Sequence, residues 1–458
     1  MRSDNILLMT DSYKVSHWLQ YPKGTQRVFS FLESRGGKFG ATTFFGLSYI
    51  IKRYLAGQVV TWEKIEEATT FFKAHFGSDA LFNRAGWEYI LRVHNGRLPV
   101  VIKAVPEGWT VPTGNVLMTI ENTDPNVPWL VNYLETLLVQ VWYPTTVCTQ
   151  SREMKRMIRK AMLDTGADMA GLPFKLHDFG YRGSTSVESA GIGGCAHLVN
   201  FLGTDTMAAL QVANEYYHET MAGFSIPAAE HSTITSWGRE HEKEAYENML
   251  DSYPTGLVAV VSDSYDIFNA AEHIWGEELR DKVMFRDGTV VIRPDSGDPS
   301  TVIRHLLNIL ADKFGYSITP KGFKVLNPKV RLIQGDGVDF KTLQQVLDDM
   351  ICEGWSIDNI AFGSGGGLLQ KVNRDTCRFA MKCSAVEVNG EWRDVMKSPV
   401  GDKTKRSKPG RLILCDDGTG DFTTAVEGDG KNILETVFLN GVQDNAPSLV
   451  TVRDRAAL

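Results

Sequence analysis

Charged residues follow short apolar runs at several points between positions 174 and 370 of this 458-residue chain. Arg293 and Asp295 follow one run in the string VIRPDSGDP, and Asp263 and Asp266 follow another in SDSYD. Carboxylates gathered at neighbouring strand ends can hold sugar hydroxyls or Mg²⁺, whereas a single aspartate in such a place often only caps a helix. Taken together, the acidic strand ends favour a functional site for a ribose or a Mg²⁺-bound ligand.

Four glycines, Gly363, Gly365, Gly366 and Gly367, separate an apolar strand from a helical segment in the run IAFGSGGGLLQK. Glycines let backbone N–H groups approach an anion at the start of a helix, where the helix dipole also favours negative charge. The pattern is neither a Walker loop nor G-x-G-x-x-G, and a tight structural turn is the alternative. We predict a phosphate site in this loop.

The preceding apolar run ends in a similar glycine-containing string, QGDGVD, which includes Gly335 and Asp336. The Asp336 carboxylate is a candidate for binding a sugar hydroxyl or a magnesium-bound water. A further string, HDFGYRG, contains His177 and Phe179 and places Tyr181 directly before Arg182. An aromatic ring beside an arginine can stack on a flat ligand and neutralise an anion, although core packing alone also explains the aromatic residue.

His231 lies in the string PAAEHST, immediately before a predicted helix. Metal ligation is poorly supported, because the nearby HEKEA lacks the second histidine of H-E-x-x-H. A structural histidine flanking the helix is one alternative. The other is a reactive imidazole that a carboxylate from another strand end orients for acid–base or nucleophilic chemistry.

Elements that could position these residues are indicated by seven apolar runs, each closed by Gly, Asp, Ser or His and most followed by a helical segment. Continuous apolar strands that alternate with helices predict parallel β–α units, and seven in series suit a (β/α) barrel, in which the loops after the strands form one face. The runs are FKLHDFGYRG, HLVNFLGTD, FSIPAAEHS, GLVAVVSDSYD, TVVIRPDSGDP, VRLIQGDGVD and NIAFGSGGGLL.

Four stretches of the chain follow from these patterns. Residues 1–150 mix strand-like and helical runs and are predicted to form part of an α+β domain, and residues 151–173 a linking helix. The barrel is expected over residues 174–385. Residues 386–458 have a pattern of strands and turns and are expected to pack back on the first domain. The predicted fold is α/β, an irregular (β/α) barrel with a flanking α+β domain built from both chain ends.

Composition narrows the function classes. The net charge of −7 argues against a nucleic-acid binder, and no apolar run approaches the length of a membrane span. The first residues lack the pattern of a signal peptide, and the six scattered cysteines form no C-x-x-C pair, which is typical of buried thiols in a reduced compartment. We therefore expect a cytoplasmic protein that contacts neither nucleic acid nor membrane.

Two strings near the C-terminal end are predicted to be structural. The basic KRSKPGR, residues 405–411, is most simply a solvated loop. The stretch LILCDDGTGD, residues 412–421, is similar to the sugar-pyrophosphate loop of type I phosphoribosyltransferases but lacks its second glycine. An Asp-Gly pair followed by FTTAV instead predicts a β-hairpin turn.

Eight unusual motifs, in order along the chain, closely resemble the nicotinamide phosphoribosyltransferase family, a group of type II phosphoribosyltransferases. They are DSYKVSHWLQYP, HDFGYRG, GTDT, PAAEHST, SDSYDI, RPDSGDP, QGDGVD and FGSGGGLLQK. The resemblance runs from about residue 7 to beyond residue 410. It implies the transfer of phosphoribosyl from phosphoribosyl pyrophosphate to nicotinamide, the entry step of NAD salvage, by a head-to-tail homodimer with sites at the interface.

The resemblance also implies roles for individual residues. Phe179 and the partner subunit's Tyr13 would sandwich the pyridine ring, while Asp205 and Arg293 would contact its carboxamide. The ribose would be held by Asp295, Gly335 and Asp336. The 5′-phosphate and pyrophosphate would be held by Arg182, Gly365, Gly366, Arg35, Arg374, Lys382 and Lys397.

His231 is implied to be the family's phosphorylatable histidine, with Asp266 as its partner and Glu230 beside it. ATP would be an optional co-substrate hydrolysed through this phosphohistidine, and Mg²⁺ would accompany the pyrophosphate without an assigned set of protein ligands. The sequence departs from the family at Ala380, where a serine is usual, so one polar contact to pyrophosphate is expected to be missing.

Base choice is the point on which the alternatives differ. The Asp205 carboxylate suits an amide NH₂ and repels the carboxylate of nicotinate. The first alternative is nonetheless a nicotinate phosphoribosyltransferase of the same fold. A non-catalytic binding protein that retains the fold and a metal-dependent barrel hydrolase are further alternatives, disfavoured respectively by the complete set of site residues and by the lack of a ligand triad.

Overall fold

The computed structural model describes residues 4–398, 407–416, 418 and 421–458, which form two compact units. The sheet unit comprises the chain up to Thr149, Glu215–Glu219 and Val372–Ala457, and the barrel unit comprises Gln150–Asn214 and Thr220–Lys371. The chain thus passes from the barrel unit to the sheet unit after Lys371, earlier than the boundary at residue 385 that the sequence suggested.

An antiparallel sheet of seven strands is the centre of the sheet unit. Thr25–Ser34 lies between Phe379–Val388 and Val116–Asn122, so strands from opposite ends of the chain pair directly. This pairing explains the early boundary, because a strand beginning at Phe379 belongs to this sheet. The sheet order is Glu391–Asp394, Phe379–Val388, Thr25–Ser34, Val116–Asn122, Val100–Ala104, Glu435–Leu439, Val442–Gln443.

Two smaller antiparallel strand pairs belong to the same unit. Ala41–Thr43 pairs with Thr110–Pro112, and Leu412–Asp416 pairs antiparallel with Phe422–Val426. The second pair is the hairpin that the sequence predicted over 412–421, although residues 417, 419 and 420 of its turn lie outside the described residues. Residues 405 and 406 of the predicted solvated loop also lie outside them.

The longest helix of the sheet unit begins and ends at residues that commonly cap helices. Trp62–Phe76 begins after Thr61, whose side chain accepts a hydrogen bond from the Lys64 N–H, and it ends at Gly77 with φ +65°. The other α-helices are Leu47–Ile50, Arg84–Val93, Leu130–Tyr133, Glu135–Leu138 and Leu449–Ala456, with a π-helix at Ile51–Leu55 and 3₁₀ helices at Ile6–Leu8, Ser12–Leu19, Val139–Val141 and Arg374–Thr376.

The predicted linking helix over 151–173 is found as two elements. An α-helix spans Trp142–Thr165, crossing the boundary between the units, and a 3₁₀ helix spans Met169–Phe174. Pro173 lies inside the second element, whose Asp168 side chain accepts from the Ala170 N–H. Gly166, with φ +67°, directly follows the α-helix and ends it before the first barrel strand.

The predicted (β/α) barrel is confirmed, and each of the seven apolar runs contributes one segment to it. Six are parallel strands: β1 (Leu176–Asp178), β2 (Gly203–Thr204), β3 (Thr255–Val261), β4 (Asp287–Arg293), β5 (Val330–Gln334) and β6 (Ile360–Ser364). β6 pairs with β1, so the order of strands returns to its start. The remaining run, residues 224–228, lies between β2 and β3.

Residues 224–228 close the ring by two isolated parallel bridges. Phe224 bridges to Gly203 of β2, and Ala228 bridges to Ala259 of β3. Four backbone hydrogen bonds accompany these bridges, two on each side. Pro227 lies in this segment and has no N–H to donate, which explains why no regular strand forms there.

Helices follow the strands of the barrel unit. They are α1 (Val187–Leu198), α2 (Met207–Tyr217), α3 (His231–Thr235), α4 (Glu242–Ser252), α5 (Ile267–Asn269, continued by a π-helix Ala270–Glu278), α6 (Arg280–Phe285), α7 (Pro299–Phe314), α8 (Phe340–Cys352) and α9 (Gly366–Leu369), with 3₁₀ turns at Tyr181–Gly183, Arg239–His241 and Ile357–Asn359 and a hairpin Tyr316–Ile318/Lys324–Leu326. Within the described residues, no helix combines the length and apolarity that crossing a bilayer requires. All six cysteines are described and are free of disulfides.

Candidate functional site

Two cavities of the barrel unit meet at three shared residues, Phe179, Asp205 and Arg293. The first, about 340 Å³, extends between the strands and is lined mainly by apolar side chains such as Ile226 and Ile333. The second, about 750 Å³, is lined by residues that follow the strand ends. An apolar compartment that opens onto a polar one suits a flat ring joined to a charged, hydroxylated group.

Phe179 forms one wall of the first cavity. Its ring packs on Ala259, Val291 and Ile333, and its N–H donates to the Ser364 carbonyl at 3.0 Å. A Cβ at Gly363 would lie 2.1 Å from the Phe179 ring. This glycine is therefore required by the aromatic ring, and not by a phosphate as the sequence suggested for the loop as a whole.

Asp205 and Arg293 supply the polar groups where the cavities meet. Asp205 follows β2, its side chain accepts a hydrogen bond from the Ser225 hydroxyl, and it remains exposed. The Nε of Arg293 is buried without a hydrogen-bond partner among the described residues and lies 3.7 Å from Asp295 Oδ1. A ligand that offers both a donor and an acceptor, such as a carboxamide, matches this pair.

The predicted ribose and phosphate residues of the barrel unit all line the second cavity. These residues are Arg182, Asp295, Gly335, Asp336, Gly365 and Gly366. A Cβ at Gly366 would meet nothing within 4 Å, whereas one at Gly367 would lie 2.5 Å from the Val338 carbonyl. Gly366 thus leaves open space at the first turn of α9, where N–H groups lack intrahelical acceptors, and Gly367 permits close packing.

Asp295 is one of the carboxylates that line this cavity. Burial raises its pKa, an effect that Arg293 opposes and Asp263 reinforces. Gly335 lies beside it, because a Cβ there would be 3.1 Å from Asp295 Oδ1. A carboxylate held between an arginine and other acids in a partly dry cavity is suited to accept hydrogen bonds from sugar hydroxyls.

His231 pairs with Asp263, and the predicted pairing with Asp266 is wrong. His231 Nε2 lies 2.9 Å from Asp263 Oδ1, and Nδ1 lies 3.9 Å from Asp295 Oδ2. Asp266 is occupied as the N-cap of α5, accepting from the N–H groups of Phe268 and Asn269. The two aspartates are three residues apart, and only the turn after β3 decides which one faces the histidine.

Glu230 is not a second partner for the imidazole in this structure. It is the N-cap residue of α3, where its side chain and Thr233 form a capping box, and it also accepts from the Ser232 hydroxyl. Its position beside His231 along the chain therefore serves the start of the helix.

Asp178, one residue before Phe179, is fully buried. Its Oδ1 accepts from the Gly180 N–H at 2.8 Å, and its Oδ2 has no hydrogen-bond partner among the described residues. Burial raises the pKa of this carboxyl to about 6. The backbone carbonyl of Asp178 also accepts a hydrogen bond from the Asp205 N–H, which connects the turn after β1 to the turn after β2.

The predicted pyrophosphate residues lie in the sheet unit, and three of them are brought together. Burial lowers the pKa of Lys382; Glu135 opposes this effect, and the nearby charges of Arg35, Lys14 and Arg374 reinforce it. Arg35 Nε donates to Glu33 at 2.7 Å, while its Nη2 is buried without a partner among the described residues. A cluster of cations with few acids is suited to a polyanion.

The other two predicted residues of the sheet unit are less constrained. Tyr13 lies in the 3₁₀ helix Ser12–Leu19 with 60% of its surface exposed, its ring beside that of His17. The Lys397 carbonyl accepts from the Ser407 N–H, and the Lys397 N–H donates to the Ser407 hydroxyl. Ala380 is opposite Glu33 on the neighbouring strand, so no hydroxyl is available at that position.

Three residues that line the cavities or bind a site residue were not predicted. Lys371 lines the second cavity and pairs with Asp339 at 3.0 Å. Ser225 binds Asp205, and Ser296 donates to Asp263. The lysine was visible in the motif FGSGGGLLQK as a cation following the glycine loop, whereas nothing in the sequence distinguishes the two serines from other loop serines.

Metal binding by the protein alone is not indicated. Within the described residues, no group of three or more His, Cys, Asp and Glu side chains is placed to hold an ion. Mg²⁺ commonly binds through one or two carboxylates and the phosphates of a substrate. The donor set therefore fits an ion that arrives with a polyphosphate and does not fit a resident structural metal.

Comparisons with known families agree with these features. Residues 174–442 match the model of the nicotinate phosphoribosyltransferase (NAPRTase) family, and residues 5–102 match that of the nicotinamide phosphoribosyltransferase N-terminal domain. A protein of Xanthomonas campestris pv. campestris named nicotinamide phosphoribosyltransferase is 52% identical over 99% of this chain and 98% of its own. A protein of Acinetobacter baylyi with the same name is 31% identical over 99% and 97%.

Solved structures show the same fold at low sequence identity. The nicotinate-nucleotide pyrophosphorylase of Pyrococcus furiosus aligns with a TM-score of 0.62 at 15% identity, over all of this chain and 96% of its own. Human nicotinic acid phosphoribosyltransferase aligns with a TM-score of 0.57 at 16% identity, over 98% and 93%. These matches support the architecture of both units.

Proposed function

This chain belongs to the nicotinate phosphoribosyltransferase (NAPRTase) family, and on that basis we propose that it transfers phosphoribosyl to nicotinamide. The products are nicotinamide mononucleotide and pyrophosphate, which makes the protein a pentosyltransferase of NAD salvage. The observation that carries the choice of base is the pair of polar groups at the junction of the two cavities. Asp205 offers an acceptor for the NH₂ of a neutral carboxamide, and Arg293 offers a donor for its carbonyl oxygen.

The reaction needs no base to activate the nucleophile. The neutral pyridine nitrogen attacks the anomeric carbon, the bond from that carbon to pyrophosphate breaks, and the leaving group takes the electron pair. Positive charge develops on the ribose and then on the pyridine ring. Asp295 and Asp336, which line the second cavity, are placed to stabilise this charge, while the cavity orients the two reactants.

Product analysis with each base tests this assignment. With phosphoribosyl pyrophosphate and Mg²⁺, we expect mononucleotide from nicotinamide at a kcat/KM well above that for nicotinate. Asp205→Asn should shrink this preference by at least about tenfold, because it removes the repulsion of the nicotinate carboxylate. Asp281→Asn, at an exposed position, is the matched control. Equal or better use of nicotinate by the native protein would overturn the base assignment.

ATP is proposed as an optional co-substrate that phosphorylates His231. Asp263 accepts the hydrogen of Nε2, which leaves the lone pair of Nδ1 available as a nucleophile. Nδ1 would attack the γ-phosphorus of ATP, forming a P–N bond while the bond to ADP breaks. Water would later take the phosphoryl group, releasing phosphate and restoring the neutral imidazole.

His231→Ala tests the role of this histidine. We expect loss of ATP hydrolysis together with a slow transferase activity that no longer responds to ATP. His241→Ala removes an exposed histidine ten residues further on and should leave both activities unchanged. ATP hydrolysis by His231→Ala at the native rate would rule out the phosphohistidine.

Mg²⁺ is proposed to enter with the polyphosphate substrates, where it would neutralise charge on pyrophosphate. The protein's own contribution would be the cations Arg35, Arg374 and Lys382, with Lys397 as a further candidate. Support comes from the effect of Arg35 and Arg374 on the pKa of Lys382, which shows that these cations lie near one another. Removal of Mg²⁺ by a chelator should therefore abolish transfer without changing the unfolding midpoint.

A homodimer with shared sites is the proposed assembly, located in the cytoplasm. The exposed ring of Tyr13 supports the first part, because an aromatic side chain so exposed is suited to a ligand or a partner. The second is supported by the six cysteines, none of which is in a disulfide, because a lack of disulfides is typical of a reducing compartment.

A further inference from the structure

We infer that Ser296 couples the histidine to the ribose site by holding the loop 295–297 on Asp263, the carboxylate that also orients His231. This inference rests on the proposed phosphohistidine function. Ser296 touches neither cavity, and its part in the reaction is that of a positioning residue. The coupling passes through one carboxylate with a different partner on each oxygen.

Three donors converge on the Asp263 side chain. Oδ1 faces His231 Nε2 at 2.9 Å, while Oδ2 accepts from the Asp295 N–H at 3.0 Å and from the Ser296 hydroxyl at 2.6 Å. The Asp263 side chain is only 4% exposed. A buried carboxylate with all of its bonds directed in this way cannot turn toward one partner without weakening its bonds to the others.

Adjacent strands explain why the loop reaches this carboxylate. Val261 of β3 pairs with Arg293 of β4, and the Ser262 N–H donates to the Arg293 carbonyl at 3.0 Å. Asp263 and Asp295 each follow their strand by two residues and therefore emerge side by side. Gly297, with φ +88°, completes the turn that returns the Ser296 hydroxyl to Asp263.

The consequence for the reaction lies in the position of Asp295. Its backbone N–H is bonded to Asp263, and its carboxylate lies 3.9 Å from His231 Nδ1 and lines the sugar-phosphate cavity. A phosphoryl group on Nδ1 adds negative charge next to that carboxylate and changes the hydrogen bond from Nε2 to Asp263. The loop 295–297 responds to both changes because the Ser296 hydroxyl fixes it to the same carboxylate.

Ser296→Ala is the test, with Ser296→Thr as the rescue and Ser300→Ala as the matched control. Ser300 lies four residues further on, and its hydroxyl binds Asp349 instead of Asp263. For each protein, the KM for phosphoribosyl pyrophosphate is measured with and without ATP, together with the mononucleotide formed per ATP hydrolysed.

We expect Ser296→Ala to form about tenfold less mononucleotide per ATP hydrolysed and to lose the effect of ATP on KM, because a hydrogen bond to a charged group is removed. Its ATP-independent transfer should change no more than that of Ser300→Ala, and Ser296→Thr should recover native coupling. Native coupling in Ser296→Ala, or equal loss of ATP-independent transfer, would overturn the inference. So would a similar uncoupling in Ser300→Ala.

Failure of the proposed function would look different. If the native protein neither hydrolyses ATP nor responds to it, the phosphohistidine proposal fails, and this inference falls with it. If the native protein is coupled and Ser296→Ala is equally coupled, only the inference fails. The unfolding midpoints of the three variants check that the substitutions have not destabilised the barrel.

Discussion

At the scale of single residues, the glycines of the loop after β6 show why one motif can contain two kinds of requirement. Gly363 accommodates the Phe179 ring and Gly367 accommodates a carbonyl, while Gly365 and Gly366 border open space in the polar cavity. The sequence pattern alone cannot separate these uses, because both need the absence of a side chain.

Gly363→Ala should weaken binding of the base specifically. The new methyl group would lie 2.1 Å from the Phe179 ring, so the ring must move into the space that the pyridine would occupy. We expect the KM for nicotinamide to rise at least about tenfold, with a smaller change in the KM for phosphoribosyl pyrophosphate. Gly40→Ala, whose Cβ meets nothing within 4 Å, is the control, and a native KM for nicotinamide in Gly363→Ala would contradict the stacking role.

Asp178 is a second residue whose environment makes a measurable prediction. Because the pKa of its carboxyl is raised to about 6 in the folded protein, the folded state holds a proton that the unfolded state loses near pH 4. This carboxyl therefore makes stability fall as pH rises from about 4 to about 6.

Asp178→Asn should remove that part of the pH dependence. Asparagine keeps the acceptor for the Gly180 N–H and carries no charge. At pH 8 the variant should exceed the native protein by up to about 3 kcal/mol in the stability of the barrel unit, with no difference below about pH 4. Urea unfolding at a series of pH values measures this difference, and a gap that is constant across the series would contradict the assigned pKa.

At the scale of elements, helix starts decide which acidic residues are available for chemistry. Asp266, Asp298 and Asp339 each cap the helix that follows, whereas Asp263 and Asp295 precede no helix directly and face the site. Both kinds of aspartate follow a buried strand in the sequence. The sequence pattern therefore located the acidic strand ends but could not separate the caps from the residues that face the cavity, and it assigned the partner of His231 to the wrong member.

Asp263 and Asp266 can be separated by paired substitutions. Asp266→Ala should lower the free energy of unfolding by about 1 kcal/mol through loss of the N-cap, while ATP hydrolysis is retained. Asp263→Asn should reduce ATP hydrolysis by at least about tenfold, because the charged, acceptor-only carboxylate is replaced by a neutral amide whose NH₂ can face Nε2 and favour the other imidazole tautomer. The reverse ranking of the two ATPase rates would restore the pairing with Asp266.

The barrel itself was predictable because parallel strands that are buried on both sides are continuously apolar. All seven runs, including the irregular FSIPA, occupy the ring in chain order. The end of the barrel unit was not predictable, since the strand Phe379–Val388 is assigned by its pairing with Thr25–Ser34, some 350 residues earlier in the chain. No local pattern reports such a distant partner.

At the scale of the whole molecule, the proposed sharing of sites between subunits has a direct test. Tyr13→Ala and Asp205→Ala are each expected to be nearly inactive as homodimers, because each removes a contact to the base. A heterodimer of the two variants, isolated through two different affinity tags, would contain one intact site and one site with both defects. We therefore expect about half of the native activity per dimer.

The two homodimeric variants, each isolated with the same two tags, are the controls for this experiment. Heterodimers as inactive as these controls would show that Tyr13 serves the site of its own chain, and a fully active Tyr13→Ala homodimer would show that it serves no site. A monomer in sedimentation measurements, with full activity at low concentration, would contradict the shared site independently.

Residues 224–228, which close the barrel, are also the segment of the ring that is most easily detached from its neighbours. Five neighbouring pairs of the ring are strand ladders, whereas this segment is attached by two isolated bridges and four backbone hydrogen bonds. Amide protons here should exchange with solvent before those of the ladders, because fewer bonds must break. The same segment carries Ser225, the partner of Asp205, and leads to His231. Occupancy of the base compartment should therefore be readable as slower deuterium uptake in residues 224–228.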